Sequence, residues 1–561
     1  MSESQLKDQV LAEFPDFSTE DALLKECMAV CKNYGISPED LRFKWEAQNF
    51  RPSTTRSAIS SYTLESLLTL RSTIQSERTA RVPVARPTPQ IVRRGTGRML
   101  MNRAPVVKTE AVEASFAGPS RVRFEGDADT PEAKKQRAYR YMHMKLSERG
   151  DALDATIDEF AERVRDHFDI SELGDPSAST SDEITVVGRI VHDDELVEDT
   201  SKLADNAVAL QCSHALGYGK RVPLRFDWDL KIRGGAQGSG SASLFPGAFA
   251  CLRGKNGGGG YFQVSEILLL PCPPPTDDPV KLENPFSVLI ASGPYTSDQD
   301  LGFRPWRGPM LKKIQETKPD VVILLGPFID AMHPLIQSGD SDSTPLNLFR
   351  TRFADPLRAY LDSVPGSMAV VVPSVRDLIS SHAVYPQCEL DAGTARNDTR
   401  IHLVSNPAWF SLDGVSFAAT SEDVLFHIKK GEFVKRGGEV DSVPPILPED
   451  LGTDSMGNLS RQILQQRSFY PVFPVPQELS EEITLDITHA DGLKLRPWNE
   501  GPEQSPDVLI VPSRLRQFAK PVHGTMALNP SFVSKGTFAV LDISPSPEGR
   551  PRLDPRLEKL S

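Results

Sequence analysis

The sequence predicts a multidomain α+β protein. An N-terminal helical module, a flexible linker, a small β-barrel and a large α/β domain follow one another. Three observations carry this. Apolar residues recur at helical spacing near the start: Leu6, Val10, Leu11 and Phe14, then Leu23, Cys27, Val30 and Cys31. Residues 77–135 mix proline, glycine and arginine without period. Beyond residue 180 come five short strand-like runs, then near-continuous Val/Ile/Leu runs of the kind that a sheet covered on both faces needs.

The 561 residues suit three or four domains at roughly 150 residues each. Hydrophobic residues make up 39% and charged residues 25%, enough apolar material for a buried core. Lys+Arg is 63 against Asp+Glu 76, a net charge of −13, which argues against a protein that coats nucleic-acid backbones. The six cysteines (Cys27, Cys31, Cys212, Cys251, Cys272, Cys388) form no C-x-x-C pair, so they support neither a zinc knuckle nor a dithiol redox site. Scattered thiols fit a reducing compartment. The N-terminus lacks the basic-then-apolar pattern of a signal peptide, and no apolar run is long enough to span a bilayer.

Residues 1–76 read as the helical module. Gly35 stops one helix, and Ser37-Pro38-Glu39-Asp40 starts another, with a serine cap, proline in the first turn and acid near the positive end of the dipole. Trp45 and Phe50 cover the core, and Leu64, Leu67, Leu68 and Ile74 suit a last helix. Cys27 and Cys31 read as buried small hydrophobes. In the linker, 77–135, Arg78, Arg81, Arg86, Arg93, Arg94, Arg98, Arg103 and Lys108 face almost no acid. Such a run suits an import signal, a short nucleic-acid contact, a docking peptide or a plain solvated tether. Thr88 and Thr130, each before proline, are candidate phosphorylation sites.

A helical lead-in occupies 136–180, with one helix from about Lys134 to Val164. Strand-like runs at 183–191, 206–212, 220–226, 247–254 and 260–270 place a five-stranded barrel at 181–275, and the OB-fold is the commonest barrel of that size. Single-stranded nucleic acid would need aromatics among basic residues, for which Phe226, Trp228, Tyr261 and Phe262 are the candidates. A Pro-rich bridge leads to the α/β domain, 284–561. It has buried strands at 286–295, 319–330 and 367–377, helices at 305–317 and from Thr344-Pro345 to about Leu361, and an Asp413-Gly414 hairpin. Further strands lie in 506–519 and 536–543.

Chemistry in α/β sheets sits beyond the carboxyl ends of strands. The three turns there read Ala291-Ser292-Gly293-Pro294-Tyr295, Gly326-Pro327-Phe328-Ile329-Asp330 and Pro373-Ser374-Val375-Arg376-Asp377. Their layout resembles the calcineurin-like metallophosphoesterases. That family carries D-x-H, G-D-x-x-D and G-N-H-[DE] at these places, because two metal ions need several Asp, His and Asn ligands and a bridging carboxylate. Here the first turn has no acid or imidazole, Pro327 stands at the bridging position, and the third turn has no Asn-His pair. Asp330, Asp377 and His523 are the only remnants, read as turn caps, an arginine partner and a loop histidine. The expectation is no catalytic residue, no metal ligand and no cofactor. The P-loop and nucleophile-elbow motifs are missing as well.

A barrel coupled to such a ligand-less domain resembles the B subunits of the eukaryotic replicative DNA polymerases, and within them the alpha-type branch. The carrying segments are NPFSVLIASGPYTSDQDL, KPDVVILLGPFIDAMHP, VVVPSVRDL, IHLVSNPAWFSLDGVSFAATSEDVLFHI, LSRQILQQRSFYPVFP and PDVLIVPSRLRQFAK. The resemblance implies an inactive phosphoesterase domain and a non-catalytic, nuclear regulatory subunit of the DNA polymerase alpha–primase complex. It would grip the C-terminal domain of the polymerase alpha catalytic subunit and reach the primase subunits through the complex. Its N-terminal module would contact other replication proteins, DNA would be met only indirectly or weakly, and no membrane would be involved. The alternatives from the residues alone are an active metal-dependent phosphoesterase and an OB-fold module that binds single-stranded DNA.

Overall fold

The computed structural model describes residues 10, 14, 21–34, 38, 41–42, 120–126, 131–139, 141, 143–193, 203–205, 207–275, 282–495, 503–546 and 549–560. The chain divides into two compact units, Met1–Ala111 and Val112–Ser561.

In the first unit, helix α1 (Asp21–Tyr34) buries Leu23, Leu24, Cys27, Val30 and Cys31; Val10, Phe14 and Leu41 are buried too. Burial pushes the Cys31 thiol up to about 11, so it acts as a small hydrophobe. The stretch with Trp45, Phe50 and Leu64 to Ile74, most of the basic linker, and both Thr88 and Thr130 lie outside the described residues.

The second unit begins earlier than the linker expectation of 77–135 placed it. Val122 is buried, and strand β1 (Phe124–Glu125) pairs with a strand of the body, with Phe124 stacked on His402 at 4.1 Å. The single helix expected over 134–164 is two, α2 (Pro131–Arg137) and α3 (Leu146–Phe168). Between them the Tyr141 hydroxyl donates to the Pro386 carbonyl at 2.5 Å, and Arg137 pairs with Glu389. These long-range anchors outweigh helix propensity, which is only a weak prior. The Lys145 N–H donates to the Glu148 carboxylate (2.8 Å), which restarts the helix.

The barrel comprises β2 (Ile184–His192), β3 (Val208–Gln211), β4 (Arg221–Arg233), β6 (Phe249–Lys255) and β7 (Phe262–Leu268); β5 (Ser241–Leu244) stands aside. Pairing runs β2-β3-β4-β7-β6 and back to β2, with only β4–β7 parallel. Alternation along β2 sends Val186 inward to Leu210, Leu252 and Val264, and Val187 outward beneath α3, where Ile157, Phe160 and Val164 cover it.

Two six-stranded sheets build the rest. One holds β8 (Phe286–Ser292), β9 (Val321–Leu325), β10 (Met368–Val372) and β11 (Ile401–Leu403), all parallel. Antiparallel β19 (Thr537–Ser544) and β20 (Arg552–Lys559) extend it beside β8. The other runs β1, β12 (Ala408–Leu412), β13 (Val415–Ala419), β16 (Val508–Ile510), β18 (Thr525–Asn529), β17 (Phe518–Val522). Every residue of β9 and β10 is buried, which explains why these strands do not alternate in sequence. Val288, Ile323 and Val370 face Phe410, Phe417 and Ile510 across the sandwich. Leu289, Val322 and Val371 face an outer layer that includes α4 (Leu311–Thr317) and α5 (Asp355–Ser363).

The second sheet's outer face meets α6 (Val424–Gly431) and α7 (Ser455–Gln465) in one core with the barrel interior. Ala418, Leu509 and Val522 of the sheet share a cluster with Ile463 and Tyr470, and with Ile190 and Leu252 of the barrel. Strands β14 (Phe433–Arg436) and β15 (Gly438–Val440) pair back onto β5 and β4. The Gln466 side chain accepts from Phe249 N–H (2.7 Å) and donates to its carbonyl (3.1 Å). Barrel and sandwich therefore share both a core and a hydrogen-bonded seam.

Charged clamps hold the periphery. Asp398, before β11, accepts from Arg358 (3.1 Å) and Arg400 (2.7 Å). Burial alone would raise its carboxyl, but the arginine hydrogen bonds outweigh that and hold it at about 2; Glu482, held by His427 and Arg514, is likewise at about 2. Both folded-state values lie below the unfolded ones of about 4. Their stabilisation is present above pH about 4 and is lost as pH falls towards 2. In acid titrations followed by circular dichroism, Asp398→Asn is expected to flatten that loss; an unchanged acid limb would refute the assignment.

Candidate functional site

The carboxyl ends of β8, β9 and β10 lie side by side in register, with Ser292 opposite Leu325 and Leu325 opposite Val372. This brings the three turns together. The Gly293-Pro294, Gly326-Pro327 and Asn406-Pro407 peptides are cis.

Asp377 is buried at the centre. Its Oδ1 accepts from the backbone N–H groups of Phe328 and Ile329 (2.9 Å for Ile329), and its Oδ2 accepts from Ser374 N–H at 2.9 Å. Burial pushes its carboxyl up to about 7, against those three donors. Most of its acceptor capacity is used within the fold. Asp330 accepts from Arg376 through Nε (3.0 Å) and Nη2, and from Met332 N–H at 2.9 Å. Asp330 and Asp377 are also joined by an isolated antiparallel bridge.

His523 lies elsewhere. It occupies the β17–β18 turn at φ 50°, and its N–H donates to Asp450 at 2.9 Å. With Cys272 and Arg461 it lines a separate cleft. Burial first, then Arg461, lowers its imidazole pKa. The structure thus brings two of the three remnant residues together and leaves out the third. Among the described residues, no group of three or more His, Cys, Asp and Glu is arranged to hold a metal ion.

A third buried acid, beside Asp330 and Asp377, belongs to this cluster and was missed in the sequence. Glu422 accepts from Ser374 Oγ (3.2 Å), Val375 N–H (3.3 Å), Asn406 Nδ2 (3.2 Å) and Ser421 Oγ (3.2 Å). Burial raises its carboxyl, and the hydrogen bonds and Arg376 pull it back. Gln387 donates to the Ser374 carbonyl (3.0 Å) and the Ser380 hydroxyl (2.8 Å). The available signal was Thr420-Ser421-Glu422 directly after the buried strand β13, another strand end. Chemically, this network fixes the turns: each buried acceptor meets a donor.

On the barrel, Phe262 is buried in the core, and Lys435 covers the Phe226 ring at 4.8 Å. Trp228 is 96% exposed and Tyr261 40%, but Trp228 stands between Asp227 and Asp229.

Residues 288–520 match the family of DNA polymerase alpha/epsilon B subunits, and residues 150–270 match the OB domain of the DNA polymerase alpha B subunits. The B subunit of DNA polymerase alpha from Schizosaccharomyces pombe is 33% identical over 431 residues, covering 72% of this chain and 68% of that protein. The chain belongs to the family of DNA polymerase alpha B subunits. The counterpart from Saccharomyces cerevisiae is 29% identical over 72% of this chain and 59% of the relative; that from Rattus norvegicus is 29% identical over 73% and 63%. The family's OB domain coincides with α3 and the barrel, and the larger match covers the strand-end cluster.

Proposed function

We propose that the chain is a non-catalytic regulatory and scaffold subunit of the DNA polymerase alpha–primase complex, acting in the nucleus at primer synthesis. The observation that carries this is the strand-end cluster, where Asp330, Asp377 and Glu422 are engaged by donors from the fold itself. In this reading residues 284–561 are an inactive calcineurin-like phosphoesterase domain whose turns have become internal braces. The names of the relatives support membership of the polymerase alpha assembly.

The barrel at 181–275 and the body offer one continuous surface to the C-terminal domain of the catalytic subunit. Residues 1–76 form a partner-binding module on the tether 77–135, whose last residues dock on the body. With its last residues docked, at most 77–119 is left to act as the tether; about 43 residues of flexible chain would span a root-mean-square distance of roughly 33–39 Å, enough to hold a second partner near the first. Thr88 and Thr130 would tune that tether through phosphorylation, adding up to about −2 charge each.

The test is co-expression of the full chain with the polymerase alpha catalytic subunit's C-terminal domain. A single size-exclusion peak containing both is expected; separate elution would sink the reading. Manganese-dependent hydrolysis of an aryl phosphodiester, lost on Asp330→Ala, would overturn its non-catalytic part.

A further inference from the structure

A second site lies at the seam between α3, the barrel and the 466–494 segment. A cavity of about 90 Å³ opens there, smaller than the roughly 150 Å³ cavity that holds benzene, and large enough for one branched aliphatic group. Its apolar wall includes Leu153, Phe473, Leu485 and Ile487.

Arg189 of β2 lines the cavity and is only 3% exposed. Its guanidinium carbon lies 5.3 Å from the ring centres of both Phe249 and Phe473. Its Nη2 donates to the Leu153 carbonyl (3.1 Å) and to Thr156 Oγ1 (2.9 Å). All four of these neighbours line the cavity, so the charged end lies at its wall. Its Nη1 is buried and has no hydrogen-bond partner. A buried donor left unmade is costly, more so on a charged group. Burial lowers the guanidinium to about 10, which leaves it charged at neutral pH.

The other cations at the wall are engaged. Arg163 pairs with Glu159 and Glu503, Arg467 with Glu503, and Lys494 with Glu159 and Asp491. Glu159, Glu503 and Asp491 balance Arg163, Arg467 and Lys494, so the charge left to favour an anion is the Arg189 guanidinium, which feels Asp154 but forms no salt bridge with it.

We propose that this seam cavity binds a small aliphatic carboxylate, its branched chain among the apolar wall residues and its carboxylate drawn to the Arg189 guanidinium. Two sources share that chemistry: a free branched-chain acid, and the C-terminal leucine of a peptide. Occupancy would tie barrel to body, because the lining comes from both. The inference does not depend on the scaffold reading.

The test titrates the full chain with isovalerate, followed by ligand-observed NMR, beside its neutral isostere isovaleramide. The acid is expected to bind at least about tenfold more tightly than the amide. Arg189→Gln is expected to abolish that preference. Ala490→Phe, which fills the cavity from a half-buried wall position, is expected to block both ligands while thermal melting stays cooperative. N-acetyl-Ala-Leu as free acid and as amide distinguishes the sources: tighter binding of the peptide acid than of isovalerate assigns the site to a C-terminus, and weaker binding assigns it to a free acid. Equal binding of isovalerate and isovaleramide, indifference to Ala490→Phe, or no isovalerate binding up to about 20 mM overturns the proposal.

Discussion

Asp377→Ala is expected to destabilise the second unit by about 3–5 kcal/mol, because three backbone N–H groups inside the fold lose their acceptor at once. Against a net stability of about 5–15 kcal/mol for a domain, that is a large share. Asp377→Asn is expected to fall between, since its one carbonyl oxygen can serve Phe328 and Ile329 while its amide nitrogen confronts Ser374 N–H. Urea melts of the three proteins order the effects, and equal midpoints for wild type and Asp377→Ala would refute the bracing role. The pH dependence has a definite sign. The folded-state value of about 7 lies above the unfolded one of about 4, so the folded state binds more protons between them. Wild-type stability relative to Asp377→Asn should fall as pH rises from about 4 to about 7 and level off beyond.

Gly293→Ala is expected to cost about 3 kcal/mol or more, at the top of the range for overpacking, because backbone meets backbone. A Cβ on Gly293 would stand 2.9 Å from both the nitrogen and the carbonyl carbon of Pro327, and closer still to its oxygen. Neither turn can withdraw while β8 and β9 hold their register. Gly308→Ala serves as control, since nothing lies within 4 Å of that position in its helical turn; a neutral or slightly favourable effect is expected there. Thermal melts separate the two, and a Gly293→Ala protein as stable as Gly308→Ala would mean that the turns are not tightly apposed.

Much of the architecture is legible in local patterning. Four of the five barrel runs and the starts of the buried strands β8, β9 and β10 fall within a few residues of their expected places, because β-branched runs bounded by glycine and proline have few other solutions; β4 runs on to Arg233, seven residues past its expected end. Helices α6 and α7 are not legible in that way, since their apolar faces read as parts of longer irregular segments. The break between α2 and α3 depends on Tyr141 reaching Pro386, 245 residues away. Docking of residues 120–126 depends equally on a distant partner, β12.

The strand-end acids divide in the same way. That the three turns carry no D-x-H, G-D-x-x-D or G-N-H-[DE] pattern is read directly from the sequence, since which atoms a side chain carries is a local fact. That Asp377 is wrapped by three N–H donors, that Glu422 joins it, that His523 stands apart and that Arg189 keeps one donor free were decided by the folded chain. Hydrogen bonding and burial depend on which groups lie within about 3 Å of each other. For residues tens or hundreds of positions apart, that proximity exists only once sheets, barrel and helices have closed around one another.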